Sequence, residues 1–113
     1  MKSIGEIVAQ LQALNNAAKL DFYDRLGSHL TISIRSVWSD TSYGDKEKLE
    51  RIKIINELMH QVFNWTWRLR HHDNTFDDAD AFRQIGSYAR ADKIVGGEIG
   101  AALSQSCRLL KLE

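Results

Sequence analysis

Apolar residues recur every three or four positions along most of the chain, which is the period of an α-helix that buries one face. Three segments carry such a stripe, and clusters of turn-forming residues at 39–45 and 72–75 separate them. The sequence contains no proline, so the strongest helix breaker is missing and long helices are favoured. The pattern predicts an all-α fold: an antiparallel bundle of three long helices.

The first segment begins near Ile4, where Ser3 and Glu6 have the spacing of a capping box. Asn15-Asn16 interrupts its stripe, so an alternative with this helix broken in two, and four helices in all, stays open. Residues 30–35 also alternate as a strand does and are rich in β-branched side chains. Because the flanking periodicity is helical on both sides, we interpret them as helix.

The second segment follows Asp45, a candidate N-cap, and extends to about Arg70 with a sustained heptad-like seam. The third opens near Thr75, with aspartates in its first turn that complement the helix dipole. Gly96-Gly97 lies inside the third stripe and forms a smooth patch with residues 100–102. We expect this patch to pack closely against another backbone within one continuous, mildly bent helix.

Composition narrows the class of protein. A chain of 113 residues predicts a single domain, 1–113. Its 15 basic residues balance 15 acidic ones, which argues against a duplex nucleic-acid partner. Cys107 is the only cysteine, so we expect a small buried hydrophobe in a reducing, cytoplasmic setting. The sequence shows no secretory signal and no apolar run long enough for a membrane span.

The stretch Phe63-Asn64-Trp65-Thr66-Trp67 places large apolar side chains around most of one helix. Trp65 and Trp67 point in nearly opposite directions, since successive residues turn by about 100°. Two neighbouring helices of so short a chain enclose only part of such a helix. We therefore predict a homodimer, or docking on another protein, with Phe63, Trp65 and Trp67 at the interface. In the alternative interpretations, one tryptophan is a partly exposed surface residue, or this helix is central in the bundle.

Glu57 and His60 have the Glu-x-x-His spacing that di-metal carboxylate bundles use. Those sites need the motif on two helices, and the sequence has no second copy. A mononuclear zinc or iron site would recruit His29 and Asp24 from the first segment. The competing interpretation is a solvated helix face, which we favour, and we expect no metal and no cofactor.

A polar line on the same helix offers a second candidate site. Asn56, His60, Asn64 and His71 follow near-helical spacing, with Trp67 among them. A polar groove with an aromatic wall is one way to build a small-ligand pocket. We favour the alternatives, which are the rim of an interface or solvent exposure.

The densest basic cluster is Arg68-Leu69-Arg70-His71-His72. It would hold phosphate or acidic side chains, or else compensate the negative end of a helix dipole, which we favour. A long-helix bundle with a dimer seam resembles the HEPN-type helical ribonucleases, in which an arginine and a histidine on one helix cleave RNA across a dimer interface. The resemblance implies a general base and a cationic stabiliser, roles for Arg68 with His71 or His72.

The resemblance covers the helical architecture and the seam, and does not extend to the catalytic motif. Arg25/His29 and Arg68/His72 are closer together than the family's arginine and histidine, and Arg51/His60 are farther apart. The sequence therefore favours a small non-catalytic helical protein that acts through self-association or by binding a partner protein. The alternatives are an enzyme or a metal protein at the residues above, or a small-molecule sensor with a pocket between helices.

Overall fold

The computed structural model describes residues 4–93 and 97–109. These residues form five α-helices and no strand, which confirms the all-α prediction. No helix in these ranges combines the length and the apolar character that crossing a membrane requires. The helices are α1 (Ile4–Gln12), α2 (Asn16–Ser39), α3 (Asp45–Arg70), α4 (Asp78–Lys93) and α5 (Glu98–Leu109).

The five-helix count corrects the expectation of three helices. The first segment is broken at Asn15, whose side chain caps α2 by accepting a hydrogen bond from the Ala18 N–H at 2.9 Å. The third segment is two helices, because Gly97 adopts a left-handed φ of 80° where a continuous helix was expected. Ser3 and Gly96 lie outside the described residues. Residues 30–35 are helical, so the strand alternative is wrong.

Helices α2 and α3 pack as an antiparallel hairpin. Lys48 Nζ donates to the Trp38 carbonyl oxygen at 3.0 Å near the turn, and Arg70 pairs with Asp24 at 3.2 Å near the open end. Between these ends, a β-carbon on Gly27 would lie 3.4 Å from the Phe63 ring. The missing side chain at residue 27 therefore lets the two helices approach closely.

The other helices close a ring, in which α4 packs against α3 and α5, and α5 packs against α2. Tyr23, early in α2, contacts Asp78 at the start of α4. The buried Arg51, early in α3, pairs with Glu98 at the start of α5. Successive helices of the ring therefore run in opposite directions, as in an up-and-down four-helix bundle, and α1 lies outside against α4.

A single cluster of buried apolar side chains, to which all five helices contribute, forms the core. Phe22 stacks on Phe82 with ring centroids 5.8 Å apart, which joins α2 to α4. Cys107 is buried among them, as its small apolar side chain predicted. The residues with no exposed surface include Leu11, Leu26, Leu30, Ile55, Leu58, Val62, Ile85 and Ile99.

The smooth patch differs from expectation in the part that the structure describes. Ala102 is buried, but Gly100 and Ala101 are exposed. A β-carbon at Gly97 or Gly100 would meet no atom within 4 Å. The expected close approach of another backbone is therefore wrong at these positions, and the glycines border open space.

Candidate interaction surface

One side of the α2–α3 hairpin is turned away from α4 and α5, and we call it the outer face. On each helix its positions are separated by three, four or seven residues, so they share one side of the helix. The α2 positions lie beside α3, since the Thr31 hydroxyl is 3.3 Å from the Met59 sulfur. The outer face consists of Ser28, Thr31, Arg35 and Trp38 on α2, and of Leu49, Asn56, His60, Phe63 and Trp67 on α3.

Large apolar side chains are concentrated on the outer face. Trp38 is 63% exposed, Leu49 60%, Phe63 52% and Trp67 58%. Within the described residues, the other large apolar side chain with comparable exposure is Ile32, at 59% on α2. Ile32 borders the outer face, because it lies four residues after Ser28 and three residues before Arg35 on α2. Exposed apolar patches on this scale mark interaction sites.

Two of these rings are held in place by their neighbours on the hairpin. The His71 imidazole stacks on the Trp67 indole with centroids 4.1 Å apart and an interplanar angle of 25°. His71 Nδ1 also lies 2.8 Å from the Trp67 carbonyl oxygen, which accepts a hydrogen bond from it. Phe63 lies against Gly27 of α2. Little side-chain freedom remains to be lost when a partner covers these rings.

Charged residues are sparse on the outer face. Its middle carries Ser28, Thr31, Asn56 and His60, and the exposed Lys53, three residues before Asn56, lies on the same side of α3. Arg35 lies towards the turn, and the Asp24–Arg70 pair lies at the opposite end. Few charges and several aromatic rings are the composition of the centre of a protein interface, and charged groups typically form its rim.

Trp65, the third predicted interface residue, lies in the core. It is 2% exposed and packs edge-on against Tyr23 with ring centroids 5.8 Å apart. A partner cannot reach it in the folded chain, which corrects this part of the interface prediction. Trp38 and Leu49 were not among the predicted interface residues. The seven-residue intervals from Leu49 to Asn56 and from Asn56 to Phe63 nevertheless mark the same side of α3.

The metal site considered as an alternative is not formed. Among the described residues, no three His, Cys, Asp or Glu side chains are grouped so that they could hold a metal ion. His29, Glu57 and His60 are therefore not brought together, and Asp24 pairs instead with Arg70. The polar line fits its simpler interpretation, because His60, Asn64 and His71 are exposed and Asn56 is half-buried.

Arg68 of the basic cluster is engaged within the loop between α3 and α4. Its Nε donates to Asp73 at 2.7 Å and its Nη2 donates to the Thr75 hydroxyl at 2.9 Å. The guanidinium also lies 5.4 Å from the centroid of the Phe76 ring. These contacts give Arg68 a structural role in the loop.

His72 closes the C-terminal end of α3. It has a left-handed φ of 53°, its N–H donates to the Leu69 carbonyl at 3.2 Å, and the Asp73 N–H donates to the Arg68 carbonyl at 3.0 Å. This is the Schellman arrangement, in which glycine is the usual residue at the left-handed position. The basic cluster therefore ends a helix, which agrees with the interpretation favoured from the sequence.

Asp73 makes the fold sensitive to acid. The Thr75 hydroxyl and, next, the Arg68 guanidinium lower the pKa of this carboxyl to about 2. Because the unfolded-state pKa is near 3.9, the stabilisation is complete above about pH 4 and is lost as pH falls through about 2. In Asp73→Asn we expect the free energy of unfolding to fall less across this window, as measured by urea unfolding at pH 5, 4, 3 and 2. If the unfolding free energy of Asp73→Asn depends on pH as that of the wild type does, the assignment of this acid sensitivity to Asp73 is wrong.

Comparison of the chain with protein-family models, with curated proteins and with solved structures finds no match. The inference of function below is drawn from the geometry of the outer face.

Proposed function

We propose that this protein is a non-catalytic helical module that self-associates, with the outer face as the contact between two copies. One observation carries the proposal: four large apolar side chains, each more than half exposed, share one face of a hairpin. Water contact with these side chains is unfavourable by about 25 cal/mol for each Å² of apolar surface. Covering them with a second copy removes this penalty in both chains at once.

The size of the outer face suits a stable dimer. With 24 and 26 residues, α2 and α3 are roughly 36–39 Å long. Two helices packed side by side are about 20 Å wide, so the face offers on the order of 700 Å². A stable interface of ordinary size buries about 800 Å² on each partner. The face alone thus approaches the area that a homodimer requires.

Its distribution of charge also suits a second copy of the same chain. In a two-fold dimer the same patch meets itself, so each side chain near the axis faces its own equivalent or a close neighbour. Acidic or basic residues there would repel across the interface. The middle of the outer face holds hydroxyl, amide and imidazole side chains, with Lys53 beside them. We place this assembly in the cytoplasm, a reducing compartment that suits the single buried Cys107.

A matched pair of variants tests the proposal. Leu49 lies on the outer face and is 60% exposed, and Gln105 is exposed on α5, which contributes no residue to that face. We expect sedimentation velocity at micromolar concentration to give twice the chain mass of 12.9 kDa. Leu49→Ser should weaken the dimer about tenfold or more, because the loss occurs in both copies, and Gln105→Ser should not weaken it.

Other outcomes are equally informative. A mass of one chain at every concentration up to about a hundred micromolar would contradict self-association, because specific dimers of this interface size form well below that concentration. Equal weakening by Leu49→Ser and Gln105→Ser would place the contact somewhere other than the outer face. If the protein is a monomer that binds a different protein through Trp38 and Trp67, the outer face is an interaction surface, but a second copy of the chain is not its partner.

A further inference from the structure

A groove separates α1 from α4 on a side of the molecule that shares no residue with the outer face. Its cavity volume is about 360 Å³. The buried side chains of Val8 and Phe82 reach its inner surface. The remaining lining residues are small or polar: Gly5, Ala9, Gln12, Ala79, Arg83, Gly86 and Arg90.

The groove exists because α1 is lined with small residues where it faces α4. Gly5 and Ala9 lie one turn apart on α1, and Ala79 and Gly86 lie two turns apart on α4. Larger side chains at these positions would fill the space between the helices. The result is an apolar trough of the size at which small-molecule sites begin, near 300 Å³.

Two arginines give this trough a positive rim. Arg83 and Arg90 are seven residues apart and therefore project from the same side of α4. Arg83 pairs with Asp80 on the protein surface. Among the described residues no carboxylate lies within ion-pair distance of Arg90, and its Nη1 lies close to Gly86, 3.5 Å from where a β-carbon would be. The cation is thus held beside the apolar trough with its hydrogen-bond donors available.

We propose that this groove binds a small carboxylic acid anion with a short hydrocarbon or single-ring body. The Arg90 guanidinium donates to the two carboxylate oxygens, a pairing whose planar geometries match. The apolar body lies on Val8 and Phe82, between the small residues of the two helices. The small volume excludes long acyl chains, and the mostly apolar lining disfavours a highly charged phosphate compound.

Octanoate is a suitable probe, with octanamide as an uncharged probe of the same shape. We expect isothermal titration calorimetry of the full chain to detect octanoate binding below about 1 mM, the range in which weak small-ligand sites are measured. Octanamide should bind at least tenfold more weakly, because a hydrogen bond to a charged group is lost. In NMR titrations, amide shifts should follow α1 and α4 and leave the outer face unchanged.

Two variants and one control distinguish the contribution of the Arg90 charge from the contribution of the groove volume. Arg90→Gln should weaken octanoate binding tenfold or more. Ala9→Leu should also weaken it, since leucine would fill the groove from the α1 side. Arg35→Gln removes an exposed arginine elsewhere and should leave binding unchanged. The proposal is overturned if the folded protein binds no octanoate up to about 10 mM, a level that reaches even very weak sites. It is also overturned if Arg90→Gln and Ala9→Leu both bind as the wild type does.

Discussion

Replacing Trp67 with alanine is expected to weaken self-association about a thousandfold while leaving the stability of each chain nearly unchanged. A large aromatic residue buried in an interface contributes about 2 kcal/mol or more, and a two-fold dimer loses this contribution twice. Within one chain, the 58% exposed indole contacts mainly its own helix, through the stacked His71 ring. Its removal therefore costs the isolated fold little.

Sedimentation equilibrium of Trp67→Ala gives the dimer dissociation constant, and urea unfolding of the same variant gives the stability of the fold. Trp67→Phe is the matched control, since it keeps an aromatic ring and should retain much of the association. If Trp67→Ala assembles as the wild type does but unfolds at a lower urea concentration, then Trp67 belongs to the fold and the outer face is not the contact.

Asp78→Ala should lower the free energy of unfolding by about 3 kcal/mol or more. The Asp78 carboxylate is 2% exposed and accepts a hydrogen bond from the Tyr23 hydroxyl at 2.7 Å. Its second oxygen lies 2.9 Å from Lys19 Nζ, which is also largely buried. Alanine would leave the buried Tyr23 hydroxyl without its acceptor and the mostly buried Lys19 ammonium group without its counter-charge. Both losses destabilise the folded state.

Tyr23→Phe provides the comparison, because it removes the hydroxyl and retains the Lys19–Asp78 pair. We expect it to lower the unfolding free energy by about 1–2 kcal/mol, less than Asp78→Ala. Burial and, next, the negative charge of Asp78 raise the pKa of the Tyr23 phenol, so the hydroxyl remains a donor across the neutral range. If the two variants unfold at the same urea concentration, the Lys19–Asp78 pair contributes nothing and the charge argument fails.

Periodicity predicted the helical class because every packed helix repeats its apolar face, whatever its neighbours are. It did not fix where helices end. Asn15 caps α2 through its own side chain, a local device that the sequence made visible. Gly96-Gly97 was compatible with a bend or with an end, since glycine tolerates both helical and left-handed backbone. The φ of Gly97 is set by how α5 packs, which no local pattern contains.

The same limit applies to the candidate sites. Counting apolar side chains around the helix pointed to Phe63, Trp65 and Trp67 together. Which of them is covered depends on the neighbouring helices, and Trp65 is buried against Tyr23 of α2. Asp78 was interpreted as a first-turn aspartate that complements a helix dipole. Its buried contact with Tyr23 joins two helices that the sequence analysis had no means of pairing.

The Tyr23–Asp78 contact has a consequence for the order in which the chain acquires its structure. It connects residues 55 positions apart, across the whole α2–α3 hairpin. During synthesis the hairpin is complete before Asp78 has been made, and the phenol that it buries has no carboxylate to meet until then. Helical bundles with mainly local contacts fold fastest, and closure across a long loop slows the search. We therefore expect docking of the fourth helix, rather than pairing of the second and third, to be the slower step in folding.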